Sequence, residues 1–333
     1  MKINDSEKII AICSRSLSAN PILRAEINVK YNNVKFNDDG LILKDQLLID
    51  FLKGTTHAIT ALEVINENII SQLPELRVIS KYGVGIDMID LNSLKKHNIK
   101  LGWTGGVNRR SVSELVVSFA VSLLRKVPLS NKEVISGIWQ QNVGQNLTGK
   151  TVGIIGCGHV GKDLVELLQP FNCRIIVNDI KNYDEFYERY NVICAEKDTL
   201  LAQSDVVSLH VPLDQSTKNM ITEESFTLMK DSAILINIAR GGLVDENILK
   251  NALINGSIAG AAFDVFENEP PHDDELLGLT NFIATPHIGG SSKESILAMG
   301  RAAINGIENN PVSYTHLRAH ETPEHLVCRL LLE

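Results

Sequence analysis

Cysteine is scarce and unpaired in this chain of 333 residues. Cys13, Cys157, Cys173 and Cys194 stand alone, with no C-x-x-C and no histidines at ligand spacing. That excludes a zinc framework and leaves them as buried or incidental thiols, so no metal site is expected. Long apolar runs are missing too, and nothing approaches the length needed to span a bilayer. The first residues, MKINDSEKII, carry acids where a secretory signal has basic residues and then an apolar stretch, so a cytoplasmic protein is expected. Basic excess is also lacking. The 32 Lys and Arg are outnumbered by 40 Asp and Glu, the formal charge is −8 and the pI is near 5.6. With its cations scattered, the chain has no face for nucleic acid or an anionic membrane.

What is present is enough apolar material, 44% of the residues, to fill two cores. The most informative stretch is residues 151–179, TVGIIGCGHVGKDLVELLQPFNCRIIVND. A short apolar run predicts a buried parallel strand, and G-x-G-x-x-G follows it at Gly156, Gly158 and Gly161. Gly156 permits the tight turn, Gly158 leaves room for a pyrophosphate and Gly161 lets the next helix pack closely. His159 and Val160 open that helix, whose free N–H groups and dipole favour an anion. Pro170 ends it. Residues 174–178 form the next strand, closed by Asp179, a carboxylate placed to accept from the ribose hydroxyls of an adenosine. The acid would repel a 2′-phosphate, so NAD is expected over NADP.

The rest of the chain alternates strands with helices, which predicts α/β architecture with parallel sheets. Strands are expected at residues 8–13, 29–36, 58–61, 76–81 and 99–103. After Asp179 they are expected at 205–211, 233–239, 258–265 and 281–286. A helix is expected over residues 61–73. Another, capped by Ser111, runs to Leu124 and is stopped by Pro128, with a polar connector at 132–149. A last helix is expected over residues 291–309. The G-x-G at Gly83 and Gly85 follows a strand and is read either as a small anion nest or as a simple turn.

Ligands of open parallel sheets bind beyond the carboxyl ends of the strands. On that rim stand His210, Val211 and Pro212, then Ile238, Ala239 and Arg240, then Asp264, and finally His287 with Gly289 and Gly290. Glu269 follows in the loop after Asp264. These residue types suit hydride transfer coupled to proton transfer on a 2-hydroxy acid. His287 is the candidate base, since imidazole titrates near working pH. Glu269 would hold its other nitrogen, and Arg240 would pair bidentately with a carboxylate while polarising the C2 oxygen. Asp264 would accept from the nicotinamide carboxamide. His210 would line the pocket.

INIARGGLVDE, AAFDVFENEP and ATPHIGGSS, with GKTVGIIGCGHVGK, resemble in this order the D-isomer-specific 2-hydroxyacid dehydrogenase family, over about residues 8–311. The resemblance implies two Rossmann-like or flavodoxin-like parallel-sheet domains with a cleft between them. It implies the catalytic set Arg240, Glu269 and His287, with NAD as cofactor. It also implies that the substrate carboxylate meets backbone N–H groups of residues 82–85, with Val84 and Gly85 as contacts and Asn108 nearby. The substrate domain would be discontinuous, residues 1–104 plus 291–311, around an NAD-binding domain at 105–290 through which the chain would form a homodimer.

KYGVGIDMIDL and GGVNRRSVSEL look most like the phosphoglycerate branch, which implies 3-phosphoglycerate as substrate. Glycerate, lactate or glyoxylate/hydroxypyruvate chemistry is the alternative. Many members of that branch have a basic residue just after the strand matching residues 58–60; Ala61-Leu62-Glu63 stands here instead, leaving Arg109 and Arg110 as candidates to meet a phosphate. One branch of the family is an NAD-responsive binding protein, and retention of Arg240, Glu269 and His287 favours an enzyme.

Residues 312–333 differ in character from the remainder, and VSYTHLRAHET resembles the read-through translation of a transposase sequencing adapter. The segment is treated as a non-native tail, given no chemical role, and the natural C-terminus is expected to be missing.

Overall fold

The computed structural model describes residues 8–309, so the tail at 312–333 lies outside them. The described residues separate into two compact units, 8–108 with 293–309, and 109–292.

The first unit is built on five parallel strands, β1 (Ile10–Ile12), β2 (Val34–Phe36), β3 (His57–Thr60), β4 (Val78–Lys81) and β5 (Lys100–Gly102). Their order is β2-β1-β3-β4-β5. Side chains alternate across the sheet. Ile10, Ile12 and Ile59 face one core with Leu23, Ile27, Ile304 and Ile307. Ala11, Ala58, Ile79 and Leu101 face the other with Leu48, Leu52 and Leu94. The helix Lys293–Glu308 closes this unit from the far end of the chain. It lies so near the sheet that a Cβ at Gly102 would sit 2.2 Å from the Gly306 carbonyl oxygen, and Ser80 donates to the Ala303 carbonyl at 2.6 Å.

The second unit has seven parallel strands, β6 (Thr151–Ile155), β7 (Arg174–Asn178), β8 (Ile193–Cys194), β9 (Val206–Leu209), β10 (Ile234–Asn237), β11 (Gly260–Phe263) and β12 (Phe282–Ala284). The order β12-β11-β10-β9-β6-β7-β8 reverses direction between β6 and β9, the arrangement of a doubly wound dinucleotide-binding sheet. Cores lie on both faces. One packs Val152 and Ile154 under the helices Arg109–Leu124 and His159–Leu168, and the other packs Val207 and Leu235 against Leu200, Leu249 and Leu253.

Several local expectations are corrected. Residues 61–73 are not a helix; only Glu67–Ile70 turns helically, because Ile65 donates to Met88 and accepts from Asp90 in a strand-like bridge. Ser111 does not cap the long helix, which starts at Arg109; its hydroxyl donates to the Gly289 carbonyl at 2.7 Å. Pro128 opens a new helix, Val127–Ile135, as well as ending the old one, since a first-turn residue needs no N–H partner. That helix takes the start of the expected polar connector. The edge strand β8 is two exposed residues, too short for its apolar pair to mark a strand.

Candidate active site

The turn after β6 is shaped by contact. Gly156 has φ +96°, and a Cβ there would meet the His210 carbonyl oxygen at 2.7 Å. A Cβ on Gly161 would sit 2.2 Å from the Gly156 carbonyl oxygen. In front of Gly158 the space is open to 4 Å, as the approach of a pyrophosphate requires, and the helix His159–Leu168 begins there. Asp179 reaches into the same turn. Its carboxylate accepts from the Cys157 N–H at 2.5 Å and the Lys181 N–H at 2.7 Å. Each oxygen keeps a lone pair for a ribose hydroxyl. These residues therefore fit a dinucleotide. The buried Cys157 between them is no nucleophile, because burial and the Asp179 charge push its thiol up to about 12.

His210 follows β9, its N–H donating to Ile155 at 2.7 Å and its Nε2 paired with the Ser208 hydroxyl at 2.8 Å. Packing around the ring pushes it down to about 3, so it stays neutral and serves as wall rather than acid. Val211 touches the position a Gly156 side chain would need, and Pro212 accepts from Thr217.

Arg240 is held by Asn237, a fully buried residue that closes β10. The Asn237 amide donates to the Arg240 carbonyl at 2.8 Å and accepts from the Ala239 N–H at 3.1 Å, while Arg240 Nη1 donates to the Ala239 carbonyl at 2.7 Å. Ile238 is buried beneath. The next residue, Gly241, lies against the Phe266–Glu267 backbone, where a Cβ would come within 2.0 Å. The loops bearing Arg240 and Glu269 are thus in direct contact.

His287 and Glu269 are bonded. The imidazole Nδ1 lies 2.9 Å from Glu269 Oε2 and 3.1 Å from Oε1, and Oε1 also accepts from the Phe266 N–H at 3.2 Å. A carboxylate only accepts, so Nδ1 carries the proton and Nε2 is the nitrogen left for exchange. The two side chains are 53% and 40% exposed, open enough to meet a substrate. His287 has φ +55°, unusual for a residue with a Cβ.

Asp264 holds that backbone in place. It is 1% exposed, its carboxylate accepts from Thr285 Oγ at 2.5 Å and from the Ile288 and Gly289 N–H groups at 2.7 Å each, and its carbonyl accepts the His287 N–H. The Gly289 carbonyl is taken by Ser111; Gly290 is half-buried beside it.

In the first unit, Val84 and Gly85 follow β4 in a turn where Gly83 has φ +110° and Trp103 donates to the Val84 carbonyl at 3.0 Å. Asn108 is buried, and its Oδ1 meets no donor. Arg109 and Arg110 both face the buried Asp163, at 3.6 and 3.2 Å. Asn237, Thr285 and Ser111 were not singled out from the sequence as site residues. Only the place of Asn237, closing a strand three residues before Arg240, offered a signal.

Residues 117–289 match the family model for the NAD-binding domain of D-isomer specific 2-hydroxyacid dehydrogenases. A D-3-phosphoglycerate dehydrogenase of Archaeoglobus fulgidus is 33% identical over 297 residues, covering 88% of this chain and 56% of that protein. The chain thus spans little more than half the length of that relative. A hydroxypyruvate reductase of Thermotoga maritima is 35% identical over 270 residues, 79% of this chain and 87% of the relative. Among solved structures, a D-isomer specific 2-hydroxyacid dehydrogenase of Lactobacillus delbrueckii ssp. bulgaricus in its NAD-complexed form superposes with a TM-score of 0.73 at 29% identity, covering 90% of this chain and 95% of that one.

Proposed function

This chain belongs to the D-isomer specific 2-hydroxyacid dehydrogenase family and takes NAD as its cofactor, and we propose that it interconverts a short D-2-hydroxy acid and its 2-oxo acid. The observation that carries the reading is the 2.9 Å bond from His287 Nδ1 to Glu269, which orients a base whose Nε2 can exchange a proton. NAD, when bound, accepts or donates the hydride. In the oxidation direction His287 takes the hydroxyl proton, and the Glu269 charge stabilises the imidazolium. In reduction the same proton returns to the C2 oxygen. Arg240 pairs with the substrate and polarises that oxygen. Backbone N–H groups of Val84 and Gly85 receive the carboxylate, with Asn108 nearby. Gly156, Gly158, His159, Val160 and Gly161 hold the pyrophosphate, Asp179 the ribose, and Ile238, Ala239, Asp264, Gly289 and Gly290 border the nicotinamide.

The phosphoglycerate assignment draws on the sequence motifs and on relatives named D-3-phosphoglycerate dehydrogenase; other relatives are named for hydroxypyruvate or glyoxylate. A panel assay tests the activity: NADH oxidation with pyruvate, glyoxylate, hydroxypyruvate and 3-phosphohydroxypyruvate. Turnover of at least one is expected, and NADH binding without any turnover contradicts the proposal. The quaternary state is proposed as a homodimer through the second unit, supported by Ile135, Trp139 and Val143, which are 78%, 87% and 84% exposed on one segment. A cytoplasmic setting is supported by the unpaired thiols.

A further inference from the structure

An asparagine followed by glycine is chemically unstable in water, because the glycine nitrogen, with no Cβ beside it, can reach the asparagine side-chain carbonyl. The described residues hold two such pairs, Asn255-Gly256 and Asn305-Gly306. The fold treats them oppositely.

Asn255 caps the C-terminus of the helix Glu246–Ile254, with φ −79° and ψ −6°. Gly256 follows at φ +71°, and the Ser257 N–H donates to the Ala252 carbonyl at 2.9 Å, which is the Schellman arrangement. In that motif the glycine N–H returns to the carbonyl three residues earlier. Here that carbonyl, on Leu253, accepts from Asn281 Nδ2 at 3.2 Å, and the Gly256 N–H has no protein acceptor among the described residues. The attacking nitrogen is therefore uncommitted. Residues 254–257 are all exposed, and a Cβ at Gly256 would meet nothing within 4 Å. No packed group resists the backbone rotation that brings this nitrogen onto the side-chain carbon.

Asn305 lies inside the helix Lys293–Glu308, and its Oδ1 accepts from Asn309 Nδ2 at 2.8 Å. Gly306 is buried against the sheet, where a Cβ would sit 2.3 Å from Ser80 Oγ. Its N–H belongs to the preceding helical turn. Reaction at this pair requires the helix to open.

From this contrast we infer that Asn255 is a site of spontaneous deamidation in the folded protein and that Asn305 is protected. The Gly256 nitrogen gives its proton to water and attacks the Asn255 side-chain carbonyl carbon. A C–N bond forms, the bond to the side-chain nitrogen breaks, and ammonia leaves a succinimide ring. Water then opens the ring at either carbonyl, leaving an aspartate or an isoaspartate at this position. No oxidant or reductant takes part. Either product places a negative charge at a helix C-terminus, where the dipole opposes it.

The test incubates the full folded chain at mildly alkaline pH, with parallel samples at mildly acidic pH and in urea. Peptide mass spectrometry with fragmentation follows both asparagines over time, and enzymatic carboxyl methylation reads isoaspartate. Ion exchange follows the acidic form of the native chain and of Asn255→Gln, whose longer side chain cyclises far more slowly. In the folded chain Asn255 is expected to convert at least ~10-fold faster than Asn305, since only the latter needs local opening. Acid is expected to slow conversion, urea to bring the two rates together, and Asn255→Gln to lose the acidic form. Asn255 left intact in the folded chain while urea converts it overturns the inference. So does Asn305 keeping pace with Asn255 in the folded chain, a urea sample that converts neither, or an acidic form that persists in Asn255→Gln.

Discussion

His287 sits on a left-handed backbone, a conformation that costs a residue with a Cβ about 1–2 kcal/mol. Asp264 offsets that cost with three accepted hydrogen bonds. In Asp264→Asn the amide keeps one acceptor and turns an N–H₂ toward a donor, so thermal melts are expected to show a loss of ~1–3 kcal/mol, with kcat reduced. Glu269→Gln is the complementary change. The amide oxygen still accepts from Nδ1 but carries no charge to stabilise the imidazolium, and kcat is expected to fall on the order of 10²-fold while NADH affinity, read by fluorescence titration, stays near native. A kcat within twofold of native would remove Glu269 from the proton path. These two residues differ in legibility. Glu269 and His287 were readable because their types suit proton transfer, His287 just beyond a strand end and Glu269 in the loop after another. The three bonds to Asp264 were not, because its donors lie beyond the next strand in sequence and only the fold returns them.

The elements were legible where pattern and turn chemistry agree. Apolar runs of four or five residues marked β6, β7, β9 and β10, and the glycine spacing marked the helix between the first two. Legibility failed where one residue served two purposes. Ile65 has the apolar character of a helix face but pairs as a strand, and Ser111 reads as a cap but bonds a distant carbonyl. The glycine turn yields the sharpest expectation at this scale. Gly161→Ala puts a methyl 2.2 Å from the Gly156 carbonyl oxygen, where backbone rather than a flexible side chain must move. Loss of NADH binding, together with destabilisation of ~1–3 kcal/mol, is expected by titration and denaturant melts. Native affinity in that variant would mean that the helix does not need its close approach to the strand.

At the scale of the molecule, two histidines, His57 buried and His210 half-buried, contribute to its response to acid. Burial, helped by the Lys8 charge, pushes His57 down to about 4, and burial pushes His210 down to about 3, against an ordinary 6.5. Both are neutral when folded. Below pH 6.5 the unfolded chain binds more protons than the folded one, so stability falls as pH falls, until the folded values are reached. At pH 5 each contributes a loss of about 2 kcal/mol relative to pH 7. Urea melts at the two pH values check this, and His57→Asn is expected to show less of the difference. The doubly wound order of the second unit explains why residues from four strand ends share one rim, which the alternation of strands and helices already indicated. The central claim is that His287 exchanges the proton in a reaction on NAD and a 2-oxo acid. Its most direct test is steady-state NADH oxidation by native chain and His287→Ala with the 2-oxo acid the native chain turns over best, alongside NADH binding to both. Turnover lowered at least ~10²-fold with NADH affinity nearly intact is the expected result; an active His287→Ala variant would contradict it.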